Sequence, residues 1–179
     1  MKIGIVGAHG VGKTTLAREL AKALNLSIVP DTAAEAFHKG WAVNEKTTTE
    51  NQFWILTKQI EYERDIKTNF IADKTLYDNL VYAKYIFDDP EIHSVLKKIV
   101  LANSNYHLLI YLPIEIKLVD DGRSIDPTFQ KMIDREYLRL LEELGIKYFQ
   151  VKGSVEERVG QAVKIIKKEF SKLKKKLPK

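Results

Sequence analysis

The chain contains the sequence Gly7-Ala8-His9-Gly10-Val11-Gly12-Lys13-Thr14, which matches the pattern G-x-x-x-x-G-K-[ST] at every fixed position. Residues 2–6 precede it as a short apolar run that predicts a buried strand. Residues 14–24 follow it, and their apolar side chains recur at the spacing of an amphipathic helix. This motif is credible as a phosphate site only between a strand and a helix, and both are predicted here.

The residue types of the motif explain how it would bind ATP, the nucleotide we expect by default. Its glycines allow the backbone to approach phosphate closely, and the helix N-terminus adds positive partial charge. We expect Lys13 to reach the β- and γ-phosphates and Thr14 to ligate Mg²⁺. The rest of the loop through Thr15 would complete the nucleotide site, with His9 projecting toward solvent or substrate.

The composition of the 179 residues fits a single domain, with a phosphate-loop domain at 1–163 and a lysine-rich end at 164–179. The chain has no cysteine and no apolar run long enough to cross a membrane. The first strand begins at the N-terminus, so no signal peptide is visible. We therefore expect a cytoplasmic protein without a membrane partner.

The net charge of +5 is unevenly distributed. Residues 164–179 contain eight lysines and one acid, whereas the remaining residues carry 21 basic and 23 acidic groups. The high isoelectric point therefore comes from the C-terminal end, which is either a solvated helix end or a nucleic-acid contact. The first interpretation is favoured, and the second stays open.

Apolar runs alternate with helical patterns along the chain. Strands are predicted at 2–6, 26–30, 69–73, 107–112 and 146–151, and helices at 14–24, 31–39, 47–68, 76–87, 91–103, 128–144 and from 155 onward. This order predicts an α/β protein of the three-layer P-loop NTPase type. Its five-stranded parallel sheet would have helices on both faces and a small lid at about 113–127.

Two acids end predicted strands, where ligands collect in such sheets. Asp73 would hold Mg²⁺, directly or through water, or orient a substrate hydroxyl. Asp31 would accept the proton of an attacking hydroxyl, with Glu35 as an alternative. Each carboxylate could instead cap the helix that follows it.

Other candidates follow the fourth and fifth strands. Arg123 would close over the transferring phosphate, and Arg135 is a second candidate for that role. Gly153 and Ser154 would pass over the adenine of ATP, although a simple turn would have the same sequence.

Aromatic and amide side chains cluster in and beside the helix predicted at 47–68. The aromatics could stack on a base and a glutamine could read its edge, but core packing at helical spacing is the favoured interpretation. The cluster consists of Trp41, Gln52, Phe53, Trp54 and Gln59.

With these residues identified, the sequence resembles the P-loop kinases of the NadR type, the nicotinamide-riboside-kinase-like ATP-binding domains. More distantly it is similar to deoxynucleoside and thymidylate kinases. Beyond the phosphate loop, the resemblance rests on Ala72–Asn79, Asp120–Ser124 and Gly153–Arg158. It implies that Asp73 serves magnesium and substrate, that Arg123 belongs to the lid and that Asp31 lies at the acceptor site.

The chain departs from these relatives on the acceptor side. Relatives often have an arginine soon after the second-strand acid, where this chain has Ala33 and Ala34. Deoxynucleoside kinases carry Asp-Arg where this chain has Asp73 and Lys74.

Three functions are compatible with the sequence. The first is a kinase that moves the γ-phosphate of ATP to a hydroxyl of a nucleoside- or nucleotide-like small molecule. The second is a kinase that acts on RNA or DNA and uses the lysine-rich end to bind it. The third is a nucleotide-binding regulator or slow NTPase. The sequence leaves open the acceptor, the choice between ATP and GTP, and the oligomeric state.

Overall fold

The computed structural model of the protein describes residues 1–119 and 125–176, with side chains described up to residue 172. Its five parallel strands form one sheet in the order β2-β3-β1-β4-β5. Their bounds are Lys2–Val6 (β1), Ser27–Val29 (β2), Phe70–Ala72 (β3), Leu108–Tyr111 (β4) and Tyr148–Gln150 (β5). The predicted sheet is therefore confirmed.

Helices alternate with these strands, as predicted. Their bounds are Lys13–Leu24 (α1), Thr32–His38 (α2), Thr49–Asp65 (α3), Leu76–Ile86 (α4), Pro90–Asn103 (α5), Pro127–Glu143 (α6) and Val155–Lys176 (α7), with a 3₁₀ turn at Asn44–Lys46. Helix α7 continues across the boundary that we predict at residue 163.

The central strand β1 determines where the site lies. It pairs with β3 on one side and β4 on the other, so that Ile3 lies opposite both Ile71 and Leu108. The chain changes direction across the sheet at this strand, and ligands of doubly wound sheets bind outside the carboxyl ends of the strands at such a point. The phosphate loop leaves β1 at this edge.

Short polar side chains set the helix starts and account for the boundaries that the apolar pattern misplaces. Thr48 accepts a hydrogen bond from the backbone of Asn51, so α3 begins at Thr49 and not at residue 47. Asp126 accepts one from Thr128, and Pro127 occupies the first turn of α6. The lid expected at 113–127 therefore ends where α6 begins.

The buried face of α3 carries polar as well as apolar side chains. Gln52, Gln59 and Glu63 are buried together with Leu56, whereas Phe53 is only partly buried. Buried polar side chains need hydrogen-bond partners, so this face is built around a polar network and not around apolar packing alone.

Candidate active site

The phosphate loop is held in the shape that its glycines allow. Gly7 has φ +143°, and a Cβ there would lie 2.5 Å from the backbone oxygen of Leu112. Gly12 has φ +92°, a conformation that side chains disfavour. Helix α1 begins at Lys13, directly after this loop, so its N-terminus faces the space where phosphate would bind.

The ammonium group of Lys13 is buried inside the loop. Its Nζ donates hydrogen bonds to the carbonyl oxygens of Gly7, at 2.7 Å, and Ala8, at 2.6 Å. Burial lowers the pKa of Lys13 to about 8; the carboxylate of Asp78 opposes this change and the nearby Lys74 adds to it. A bound phosphate would provide this buried ammonium with an anionic partner.

Asp73 follows β3 and is buried beside Lys13. Burial raises the pKa of Asp73, the negative charge of Asp31 raises it further, and a hydrogen bond from Thr14 acts in the opposite sense. Among the residues described, its buried Oδ1 atom has no hydrogen-bond partner. An oxygen of this kind beside a threonine hydroxyl suits a divalent cation with oxygen ligands, so these residues fit Mg²⁺.

No group of three metal-ligating side chains occurs in residues 1–119 and 125–176. A magnesium ion at Thr14 and Asp73 would therefore complete its coordination with phosphate oxygens and water, as is usual for this metal in phosphate sites.

Asp31 ends the loop after β2 and has two structural contacts. Its Oδ1 accepts hydrogen bonds from the backbone nitrogens of Ala33 and Ala34, which caps α2. The same oxygen lies 3.4 Å from Nζ of Lys74, and both side chains are about nine-tenths buried. The capping interpretation is therefore correct, but the carboxylate also belongs to the charged cluster at the phosphate loop.

Two cavities share Lys74, one of the two residues of this ion pair. The loop cavity has a volume of about 220 Å³ and is lined by the phosphate loop, Asp31, Lys74 and Ile116. The amide cavity lies between α2, α3 and α4 and has a volume of about 30 Å³. It is lined by Thr32, Ala33, Asn44, Thr47, Gln52, Ile55, Gln59, Lys74, Thr75, Asp78, Asn79 and Tyr82. Lys74 lines both cavities, so the two meet at this residue, whereas its partner Asp31 lines only the loop cavity.

The amide cavity contains Gln52 and Gln59, which the sequence offered as possible base readers, together with Asn79 and Asp78, which it did not single out. Nε2 of Gln52 donates to Oδ1 of Asn79 at 2.6 Å, and Nε2 of Gln59 donates to the carbonyl of Lys74 at 3.2 Å. Asp78 is buried and completes the capping box of α4. In the sequence these residues appear only as polar side chains at helical spacing in two separate helices. They can be recognised as one site only once α3 and α4 are known to pack together.

The aromatic side chains of the cluster around α3 pack largely as predicted. The rings of Trp41 and Trp54 meet edge to face with centroids 4.9 Å apart, and Trp54 packs against a small core that includes Val43 and Ile55. Core packing therefore describes Trp54, whereas Gln52 and Gln59 line the amide cavity.

His9 does not project into solvent, which corrects that expectation. The residue is 5% exposed, and its Nδ1 lies 3.2 Å from the hydroxyl of Tyr82. Its carbonyl accepts a hydrogen bond from Gln130, and its ring packs against Phe129. The ring packs between Tyr82 of α4 and Phe129 of α6, and His9 also lines the loop cavity.

Arg158 supports the loop from behind, a role that the sequence did not reveal. Its Nη1 donates to the carbonyl of Val11 at 2.8 Å, and its Nη2 donates to Glu115 at 2.9 Å. Glu115 also accepts a hydrogen bond from the backbone of Gly153. One arginine thus joins the phosphate loop, the segment after β4 and the Gly153–Ser154 turn, where the adenine of ATP is predicted.

The predicted lid is described only in part, because Arg123 and its neighbours at 120–124 lie outside the described residues. Within the described part, a methyl group of Leu118 lies 2.5 Å from the position of a Cβ at Gly10, so this segment packs on the loop. Arg135, the second candidate, is exposed on α6 and donates to the carbonyl of Lys131.

Comparison with known proteins agrees with this geometry. The AAA domain family (AAA_28) matches residues 2–158, most of the chain. The chain belongs to this family. A comparison with curated protein sequences finds no significant match to this chain.

Solved structures of kinases share the fold of this AAA domain. A NadR protein in complex with NR has a TM-score of 0.78 at 20% identity, over 94% of this chain and 51% of that one. Deoxyadenosine kinase from M. mycoides with bound dATP has a TM-score of 0.74 at 22% identity, covering 93% and 99% of the two chains. Thymidylate kinase from Ehrlichia chaffeensis has a TM-score of 0.66 at 15% identity, covering 93% and 98%.

These comparisons confirm the resemblance predicted from the sequence, and at such low identity they establish the fold. This AAA domain spans about half the length of the NadR structure. In the described part of the chain, no helix is long and apolar enough to cross a membrane.

The lowered pKa of Lys13 predicts how ATP binding depends on pH. Only the protonated ammonium attracts phosphate, and the pKa in the free protein is about 8. Bound phosphate would stabilise the proton, so affinity should be constant below that pH and fall up to about tenfold per pH unit above it. Titration with a fluorescent ATP analogue between about pH 7.5 and 9.5 measures this dependence.

Lys13→Met is the control, since it removes the titrating group. The variant should bind weakly at every pH. Unchanged affinity of the wild-type protein across the range would contradict the role assigned to the buried ammonium.

Proposed function

We propose that the chain is an ATP-dependent kinase that transfers the γ-phosphate of ATP to a hydroxyl of a nucleoside. The observation that carries this proposal is the meeting of the loop cavity and the amide cavity at Lys74, which forms an ion pair with Asp31. Phosphate donor and acceptor would each have a site, with the reacting groups at the junction. The shared fold of NadR, deoxyadenosine kinase and thymidylate kinase supports the same activity.

The lining of the amide cavity favours a nucleoside over a nucleotide. Among its described residues the only cation is Lys74, which already pairs with Asp31, and the rest are amides, hydroxyls, apolar groups and the carboxyl of Asp78. The phosphate group of a nucleotide acceptor would need its own cations, and arginine is the usual choice for that purpose. Ala33 and Ala34 provide none at the start of α2.

The amide cavity is narrow, and its volume of about 30 Å³ is too small to hold a nucleoside. An entering nucleoside would therefore displace part of its wall. Return of that wall over the bound substrate would exclude water from phosphoryl transfer.

The charged residues can perform the transfer with little covalent chemistry of their own. The acceptor oxygen forms a bond to the γ-phosphorus, the bond from that phosphorus to the bridging oxygen breaks, and ADP leaves. Asp31 would take the proton of the attacking hydroxyl, while Lys13 and Lys74 stabilise the negative charge of the phosphoryl group. A magnesium ion held by Thr14 and Asp73 would neutralise charge on the phosphates.

The other two functions have less support. Helix α7, which leads into the lysine-rich end, packs against α1 and β4, whereas the amide cavity lies between α2, α3 and α4. An acceptor site for RNA or DNA would be open and flanked by that end. A nucleotide-binding regulator would need no second cavity beside the loop.

The proposed activity predicts stimulation of ATP turnover by a nucleoside. The assay measures ADP release with Mg²⁺ across nucleosides, nicotinamide riboside, the matching 5′-monophosphates and short RNA, with Lys13→Ala as the blank. We expect at least one nucleoside to raise turnover about tenfold or more, and its 5′-monophosphate to be a much poorer acceptor. Slow hydrolysis that no compound stimulates would instead support the regulator.

Asp31→Asn tests the proton acceptor without removing the helix cap. Asparagine caps helices about as well as aspartate, so α2 should remain folded and ATP binding unchanged. Loss of the general base should lower kcat about 100-fold. The matched control is Asp89→Asn, because Asp89 caps α5 through the backbone of Glu91 and is exposed. Equal kcat values for the two variants would exclude Asp31 as the base.

A further inference from the structure

Asn44 has an unusual backbone conformation at the wall of the amide cavity. It begins the 3₁₀ turn between α2 and α3 with φ +57°. Among the described residues, the only other non-glycine residue with positive φ is Asn25, at φ +50°. Asparagine tolerates this region better than most residues, but the conformation still costs free energy and is common at ligand sites.

The side chain of Asn44 carries a second cost. The residue is 7% exposed, and its Nδ2 group has no hydrogen-bond acceptor among the residues described. Buried donors in native proteins are almost always paired, so an unpaired one calls for a partner that the free chain does not contain. The amide lines a cavity, which is where such a partner would enter.

The neighbouring amides on the same wall are already engaged. Asn79 donates to the carbonyl of Leu76 and accepts from Gln52. Gln59 donates both to Glu63 and to the carbonyl of Lys74. Each of these three amide nitrogens thus has at least one acceptor within the protein, whereas the nitrogen of Asn44 has none among the described residues.

The position of Asn44 indicates which part of the ligand it would meet. Lys74 lines both cavities and marks the end where phosphate is transferred, whereas Asn44 lines the amide cavity alone. A nucleoside with its reacting hydroxyl beside Asp31 and Lys74 would extend its base into the rest of that cavity. Asn44 would then face the base and not the ribose hydroxyl that accepts phosphate.

We propose that Asn44 selects the acceptor by donating a hydrogen bond to a carbonyl oxygen of its base. The preferred substrates are therefore nucleosides whose base presents a carbonyl where a related base has an amino group. This inference rests on the proposed function, since it describes how the amide cavity reads the nucleoside. The positive φ holds the side chain against the cavity, and the bound base satisfies the buried donor.

The test separates the amide group from the backbone conformation. Asn44→Gly keeps the positive φ without strain and removes the donor, and Asn44→Asp keeps the shape but offers only acceptors. Asn25→Gly and Asn25→Asp are matched controls, because Asn25 has the same backbone conformation at the exposed end of α1. Binding of a fluorescent ATP analogue reports that each variant is folded with an intact phosphate loop.

The measured quantity is kcat/KM with matched nucleosides. Uridine and cytidine differ by a carbonyl or an amino group at one ring position and by the proton on the adjacent ring nitrogen, as do inosine and adenosine. We expect the wild-type protein to prefer the carbonyl member of at least one pair about tenfold. Asn44→Gly should reduce that preference to near unity, mainly through KM, and Asn44→Asp should reverse it. Both Asn25 variants should retain the wild-type preference.

Two failures are distinguishable. If the wild-type protein phosphorylates nucleosides and both Asn44 variants keep its KM and its preference, the inference is wrong and the kinase activity stands. If the wild-type protein binds ATP but phosphorylates no nucleoside, the proposed function and the inference fail together. Should one Asn44 variant fail to bind ATP, the other decides.

Discussion

The buried ammonium of Lys13 is the interaction on which the phosphate site depends. Burying a charge is expensive unless it is paired and hydrogen-bonded, and here the carbonyls of Gly7 and Ala8 supply the hydrogen bonds. These carbonyls reach Nζ only because the loop curls back over the start of α1, which requires glycine at positions such as Gly7. The lowered pKa of Lys13 shows that the compensation is incomplete without phosphate.

The same constraint explains the surrounding acids. Asp31 and Asp73 end the segments that follow β2 and β3, so the parallel sheet brings both to the edge where the loop leaves β1. Burial and mutual repulsion raise the pKa of Asp73, and the cations Lys13 and Lys74 offset part of that effect. ATP and a divalent cation would therefore provide the missing partners for the charged side chains of this cluster.

Much of this arrangement could be predicted from the sequence, because it depends on local patterns. The phosphate loop is contiguous, and Asp31 and Asp73 are found by locating the ends of apolar strands. Arg158 could not be assigned a role in this way, since its bond to Val11 joins residues far apart in the chain. Gln52 and Gln59 were offered as possible base readers, but the cavity that they line could not be predicted, because Gln52 and Asn79 meet only when α3 packs on α4. Of the two alternatives for His9, the structure contradicts only the projection into solvent, because its position in the loop does not reveal the ring contacts with Tyr82 and Phe129.

The most direct test of the account is the effect of Mg²⁺ on ATP binding by the wild-type protein and by Asp73→Asn, measured by isothermal titration calorimetry. We expect the wild-type protein to bind ATP about tenfold or more tightly with Mg²⁺ than with a chelator. Asp73→Asn should lose that difference while keeping the affinity for ATP alone, which the loop and Lys13 provide. An undiminished effect of Mg²⁺ in the variant would contradict the assignment of Asp73 to the metal and, with it, the account of the charged cluster.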